Sequence, residues 1–141
     1  MASATSIMRV QQLLLADFDA LVRRHGLTFA RYEALVLLAF SRSGWLPMST
    51  IGQRLMVHPT SVTNIIQRLE AQGFVERSPN PADGRGTLAA LTDSGREVME
   101  AATTDLVASG FALTMLTQSE HEQLFALLHK VRVHHGDFTE Q

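Results

Sequence analysis

Five short polar side chains and one arginine, Thr60, Ser61, Thr63, Asn64, Gln67 and Arg68, fall inside nine consecutive residues of this 141-residue chain. Hydroxyls, carboxamides and a guanidinium with no adjacent base make hydrogen bonds rather than break covalent ones. Such groups suit the donor and acceptor edges of bases in a DNA major groove, where a carboxamide can pair bidentately with adenine, and Arg68 can reach a phosphate. Farther on, Arg85 stands between two glycines in the run Pro79-Asn80-Pro81-Ala82-Asp83-Gly84-Arg85-Gly86. Its backbone meets little steric resistance there, so the guanidinium can extend into the negative potential of a narrow minor groove, with Asp83 to orient it. The plainer reading of Arg85 and Asp83 is a solvated loop ion pair worth under ~1 kcal/mol. Beside a helix that reads bases, the groove reading gains.

These groups need a scaffold that holds them on one face. Val62, Ile65, Ile66 and Leu69 recur at i, i+3, i+4 and i+7, the spacing of a buried helical stripe. At about 100° per residue, Thr60, Asn64 and Gln67 lie opposite that stripe, with Ser61, Thr63 and Arg68 on its flanks. Pro59 suits the first helical position, where a missing N–H costs nothing, and Gly73 suits a left-handed stop after Gln72. Phe74 to Arg77 then leave as a strand. Upstream, Ser49 is placed to cap a shorter helix that buries Ile51 and Leu55. Gly52 between them lets a crossing helix come close; read as a mere weak point it costs ~1 kcal/mol relative to alanine. The turn-forming residues Pro79 to Gly86 are predicted to be a loop joining two short strands, which makes a wing. Leu46 is a candidate third strand of that sheet.

In order and spacing, residues 49 to 95 resemble the winged helix-turn-helix of MarR-type (multiple antibiotic resistance) transcriptional regulators. The matching pieces are Leu55-Met56-Val57, Thr60-Ser61-Val62-Thr63, Arg68-Leu69-Glu70, Gly73-Phe74-Val75-Glu76-Arg77, Pro81-Ala82-Asp83-Gly84-Arg85 and Leu91-Thr92-Asp93-Ser94-Gly95. The chain departs from the family at His58, where serine is usual, at Asn64, where arginine is usual, and at Gly84, where a second wing arginine is usual. The resemblance implies a mainly α (α+β) fold of about six helices with a two- or three-stranded wing sheet. It also implies a homodimer on a pseudo-palindromic double-stranded DNA operator, acting as a repressor, with fewer phosphate or groove contacts than is usual. Residues 28–92 would form the DNA-binding part of a single domain spanning 1–141, and residues 6–26 and 93–135 the helical dimerisation part.

Composition is compatible with this and excludes other classes. The chain is 45% hydrophobic but only 6% aromatic, and it has no cysteine, so thiol redox sensing, disulfides and thiolate zinc sites are excluded. A net charge of −2 argues at first against nucleic acid, but the charge is unevenly spread. Residues 1–48 carry five arginines against three acids and residues 49–92 four against three, whereas residues 93–141 carry three basic against eight acidic groups. The reading head stays slightly basic, and so thin a positive field makes two subunits necessary for useful affinity. Met1 to Ser6 lacks the basic and apolar regions of a signal peptide, and no apolar run approaches the ~18 residues of a membrane span, so a cytoplasmic protein is expected. No nucleophile elbow, HExxH, phosphate-binding loop or paired-carboxylate motif is present, so no enzyme and no cofactor is expected.

The remaining helices frame the reading head. One is predicted from Ser6 to His25, stopping at Gly26; a second begins at Thr28, is apolar nearly all round and should be central. Thr92 caps a long helix predicted to run towards Leu116, and Thr117-Gln118-Ser119-Glu120 is a capping box that opens another, reaching about His134. Terminal helices this apolar would expose too much surface alone, so they should pair with a second copy. The family commonly binds small aromatic or phenolic anions between its dimerisation helices and its reading head. The residues that could line such a pocket here are Phe18, Leu21, Val22, Tyr32, Val36, Trp45 and Phe111, with His25 or Arg31 to meet the anion. His129, His134, His135 and Asp137 cluster near the C-terminus, but histidines at a helix end are usually ordinary surface groups, and no metal site is assigned. His25 and His121 read as plain helix residues. The competing functional readings are a winged helix that docks a protein partner and a metal-responsive regulator.

Overall fold

Leu35, Leu38, Ile51, Ile66, Leu69 and Leu106 come from four helices and are all fully buried. That shared core is what orients the reading face. In a computed structural model, which describes residues 1–137, the helices are α1 (Ala2–Val22), α2 (Phe29–Phe40), α3 (Met48–Leu55), α4 (Pro59–Ala71), α5 (Asp93–Ala108) and α6 (Gln118–His134). The strands are β1 (Trp45–Pro47), β2 (Val75–Asn80) and β3 (Asp83–Leu91), in an antiparallel sheet of order β1-β3-β2. The fold is the mainly helical winged helix-turn-helix, with six helices and three strands among the described residues. Leu46 pairs with Ala89 as the third strand. No helix among the described residues is long and apolar enough to cross a membrane.

The ends of α4 follow from its sequence. His58 caps the first turn, its Nδ1 accepting the Thr60 N–H at 3.1 Å, with Pro59 at the first helical position. At the other end Gly73 takes φ +80°, a conformation that costs glycine nothing. Behind α4, Gly52 of α3 is buried, and an added Cβ would stand 3.0 Å from Val62 Cγ2. At Gly52 the close crossing of α3 and α4 leaves a side chain little room unless Val62 gives way.

Four expectations need correction. The wing loop is shorter than Pro79–Gly86: β2 and β3 run through those residues with an irregularity between Pro79 and Asn80, leaving Pro81 and Ala82 at the tip. Proline is tolerated because β2 lies at the sheet edge, where a missing N–H breaks no ladder. Asn80 Oδ1 accepts the Ala82 N–H and Asp83 Oδ1 the Arg85 N–H, so the turn formers act through side-chain bonds at the tip. Second, Ser49 caps nothing. α3 starts at Met48 after Pro47, without a side-chain cap. Third, α5 ends at Ala108 rather than near Leu116, because Gly110, Phe111 and Ala112 all take left-handed φ values of +61°, +50° and +55°. Ser109 Oγ, bonded to the Leu106 carbonyl at 2.7 Å, marks that stop. Fourth, α1 begins at Ala2 and ends at Val22, and His25 lies in a separate 3-10 turn (Arg23–His25) before left-handed Gly26.

The outer helices differ from the core. α2 is central through Tyr32, Ala34, Leu35 and Leu38, yet Phe40 at its end is 85% exposed. Thr117 and Glu120 form the capping box at the start of α6, each bonding the other's backbone N–H, at 3.3 and 2.8 Å. α6 itself buries no residue.

Candidate nucleic-acid interface

The stripe Val62, Ile66 and Leu69 buries one side of α4, with Ile65 partly buried beside it, and this turns Thr60, Ser61, Thr63, Asn64, Gln67 and Arg68 outward. All six are exposed, and Thr60, Ser61, Thr63, Asn64 and Gln67 line one shallow hollow on the surface. Thr63 returns its hydroxyl to the Pro59 carbonyl at 3.1 Å, which keeps it short and close to the helix. Among the described residues, the side chains of Ser61, Asn64, Gln67 and Arg68 bond nothing else in the chain. The hydrogen-bonding capacity of those four side chains is therefore available to a partner, with no intramolecular bonds to break first.

The wing supplies a second surface. Arg85 is exposed on β3, and Asp83 supports it through the main chain, accepting the Arg85 N–H at 3.1 Å. The two glycines beside Arg85 do not take left-handed φ. Gly86 lets the strands come close, since an added Cβ would lie 3.2 Å from Asp83 Oδ2 and 3.3 Å from Asn80 Cβ. Between wing and helix runs a groove of about 330 Å³, lined among others by Ser49, Thr63, Arg77, Asn80 and Arg85. Sequence reasoning did not pick out Ser49, Arg77 and Asn80 as site residues. Strand alternation could have found Arg77, since it shares the face of buried Val75, the side that meets α4 and Glu70. Arg77 is braced by Glu70 of α4, whose Oε1 accepts from Nη2 at 2.9 Å and Nε at 3.2 Å. That hydrogen bond holds the Glu70 carboxyl below its ordinary range and the Arg77 guanidinium above its own. Both groups are exposed, so the pair fixes the direction of Arg77 more than it stabilises the fold.

Three kinds of similarity to known proteins meet at this geometry. Residues 25–86 match the MarR family. The HTH-type transcriptional regulator YkoM of Bacillus subtilis is 33% identical over 113 residues, covering 79% of this chain and 72% of YkoM. Sco5413, a MarR family transcriptional regulator from Streptomyces coelicolor, is 60% identical and superposes with a TM-score of 0.93 over 99% of this chain and 97% of its own. The chain belongs to the MarR family of transcriptional regulators. A further MarR family member, Sco3205 from the same organism, has been solved in complex with DNA; it is 27% identical with a TM-score of 0.83, over 92% of this chain and 83% of its own. MarR proteins are regulators and not enzymes, in agreement with the lack of any catalytic constellation in the sequence.

Most of the residues considered for a small-molecule pocket meet in one apolar cluster, from which Trp45 stands apart. Val22 and Tyr32 are core, and the Tyr32 hydroxyl meets Thr103 Oγ1 at 2.7 Å. Leu21 and Val36 pack against that core. Phe18 lies 4.8 Å from the Phe29 ring and meets Phe111 edge-on at 5.9 Å, making an aromatic seam between α1, α2 and the left-handed turn. Trp45 sits on β1 opposite Ala90, 43% exposed, as part of the wing sheet. Neither proposed anion partner is a free cation. His25 Nε2 pairs with Asp105 Oδ2 at 2.7 Å, so His25 is more than a plain helix residue, and Arg31 bonds Gly26, Thr28 and Gln72. Among the described residues no group of three potential ligands is arranged to hold a metal ion. In the C-terminal cluster the His134 and His135 rings meet edge-on at 5.3 Å, while Asp137 pairs with Arg132.

Proposed function

We propose that this MarR-family chain binds a pseudo-palindromic double-stranded operator as a homodimer, with α4 in the major groove and Arg85 in the adjacent minor groove, and that it acts as a repressor. The observation that carries the reading is the exposed polar face of α4, on which the side chains of Ser61, Asn64, Gln67 and Arg68 are unspent among the described residues. Asn64 is the base reader, able to pair bidentately with adenine, while Arg77 and Arg85 line one groove, where both guanidinium groups could meet a phosphate strand. The dimer rests on a second observation. Met8, Leu13, Val107, Met115, Phe125 and Leu127 of the terminal elements are each 59% exposed or more. Apolar surface of that extent seeks a partner, and a second copy supplies the same faces about a two-fold axis. A dimer seated over a promoter blocks it, hence repression.

The same reading extends to release by a small aromatic acid entering the seam of Phe18, Phe29 and Phe111. Occupancy there would change how α1 and α2 are set and so the spacing of the two heads; such a ligand must prefer the released spacing by a few kcal/mol. The DNA reading is tested by fluorescence anisotropy with random duplex at increasing salt. Binding that weakens steeply as salt rises supports it. No binding, or binding indifferent to salt, supports a protein-docking role instead.

A further inference from the structure

The C-terminal end of α4 carries a device that the DNA-contacting face does not explain. Gln72, the residue after α4, has its backbone N–H bonded to the Arg68 and Glu70 carbonyls, so its main chain is fixed. Its side chain leaves the reading face and spans to the corner between α1 and α2. There Nε2 donates to the Gly26 carbonyl at 2.7 Å, and Oε1 accepts from Arg31 Nη1 at 3.1 Å. A carbonyl needs a donor and a guanidinium needs an acceptor, so the amide has one workable orientation. Arg31 closes the triangle by donating to the same Gly26 carbonyl at 3.3 Å, and its Nε reaches Thr28 Oγ1 at 3.3 Å. Gly26 is suited to the spot twice over: it takes φ +74°, and an added Cβ would stand 3.3 Å from Gln72 Nε2.

The corner is itself anchored. His25, next in the chain, pairs with Asp105 of α5 at 2.7 Å. On the other side of the helix end, the Gly73 carbonyl accepts from Thr92 Oγ1 at 2.7 Å, and a Cβ on Gly95 would collide with the Phe74 carbonyl oxygen at 2.1 Å. The C-terminal end of α4 is thus held to α1, α2 and α5 together. Its N-terminal end, which carries Thr60, Ser61 and Asn64, is capped by its own His58 and packs on α3 through Val62 beside Gly52, with no side-chain hydrogen bond to another helix among the described residues.

We propose that Gln72 is a positioning residue for DNA recognition: with Arg31 and the Gly26 carbonyl it clamps the recognition helix at the angle that sets the distance between the two half-sites. The inference rests on the reading of α4 as the DNA-binding helix of a dimer. The lever makes the angle matter. At about 1.5 Å per residue Asn64 lies roughly 12 Å from Gln72, so a tilt of about 15° about the C-terminal end moves it by roughly 3 Å, close to one base-pair step of ~3.4 Å.

The experiment is parallel selection of bound sequences from a pool of randomised duplex DNA, using the full-length wild-type chain and Gln72→Ala, followed by affinity measurements on the enriched sites. Wild type should enrich one half-site sequence at one spacing. Gln72→Ala should keep the half-site letters, broaden the spacing by a base pair either way, and bind the wild-type site about five- to tenfold more weakly. Gln72→Glu keeps an acceptor for Arg31 but sets a carboxylate oxygen against the Gly26 carbonyl where the donor stood; it should show the same broadening, and it decides the matter if Gln72→Ala fails to fold. Unchanged spacing in a folded variant overturns the clamp, whatever the affinity. Changed half-site letters overturn it as well, by making Gln72 a direct reader. Failure of the wild type to enrich any sequence is a different result, which removes the DNA reading itself and the clamp with it.

Discussion

α4 and α6 are both helices with well-defined N-caps, 13 and 17 residues long, yet they are covered in opposite ways. α4 buries Val62, Ile66 and Leu69 inside its own chain and leaves a polar face outward. α6 buries nothing and leaves Phe125, Leu127, Val131 and Val133 about half exposed or more. A helix with a spent apolar face and unspent polar groups is finished as a structural element and ready for a polar ligand. One with its apolar residues still wet is unfinished. On our reading α4 is completed by DNA and α6 by a second copy of the chain, and the difference between the two helices is the division of labour in the dimer.

The contrast can be broken most forcefully at the core. Ile66→Ala should lower the stability to urea by about 2–5 kcal/mol, since it opens a cavity among fully buried neighbours. Leu127→Glu on α6 should leave the intrachain core intact but turn a dimer into a monomer in sedimentation equilibrium. DNA affinity should fall by roughly a hundredfold or more as the second half-site is lost. A dimer unchanged by that substitution would remove α6 from the interface. Within the reading surface, Arg85→Ala and Asn64→Ala should separate in kind. Arg85→Ala weakens binding across sequences, whereas Asn64→Ala costs ~1–3 kcal/mol at one base pair and relaxes preference only there, as a comparison of their binding-site logos will show. The smallest effect concerns the start of α6. The Thr117 N–H and then its hydroxyl, bonding the Glu120 carboxylate, hold that group below its ordinary pKa. A carboxyl depressed in the folded state adds stability that is fully present above its unfolded pKa and is lost as pH falls through the folded value. Amide hydrogen exchange in the first turn of α6 should therefore speed up relative to α4 in acid below the usual carboxylate range, and Glu120→Gln should abolish that difference.

Much of the reading head was legible because local rules agree there. The stripe of Val62, Ile65, Ile66 and Leu69, Pro59 at the first turn, Gly73 at the stop and the Thr117-Glu120 box each name their own geometry over a few residues. What stayed hidden depends on distant neighbours. Ser49 has the chemistry of a cap, but Pro47 leaving β1 had already begun the helix. Nothing in Ser109-Gly110-Phe111-Ala112 announces that two non-glycine residues adopt left-handed φ, which goes with a Phe111 ring set against Phe18 of α1. Trp45 reads as part of the turn after the second helix, whereas its pairing with Ala90 makes it the first residue of the sheet. His25 and Arg31 looked like free cations until Asp105 and Gln72, 80 and 41 residues away, came into contact with them.

The central claim, that α4 and the wing form the DNA surface while α6 belongs to the subunit interface, is tested most directly by backbone amide NMR of the labelled dimer titrated with an enriched duplex. The expected result is that amides of Thr60, Ser61, Thr63, Asn64, Gln67 and Arg85 shift or broaden at stoichiometric DNA, while those of α6 from Glu122 to Val133 stay in place. Perturbation centred on α6, with the α4 face and Arg85 silent, would contradict the account.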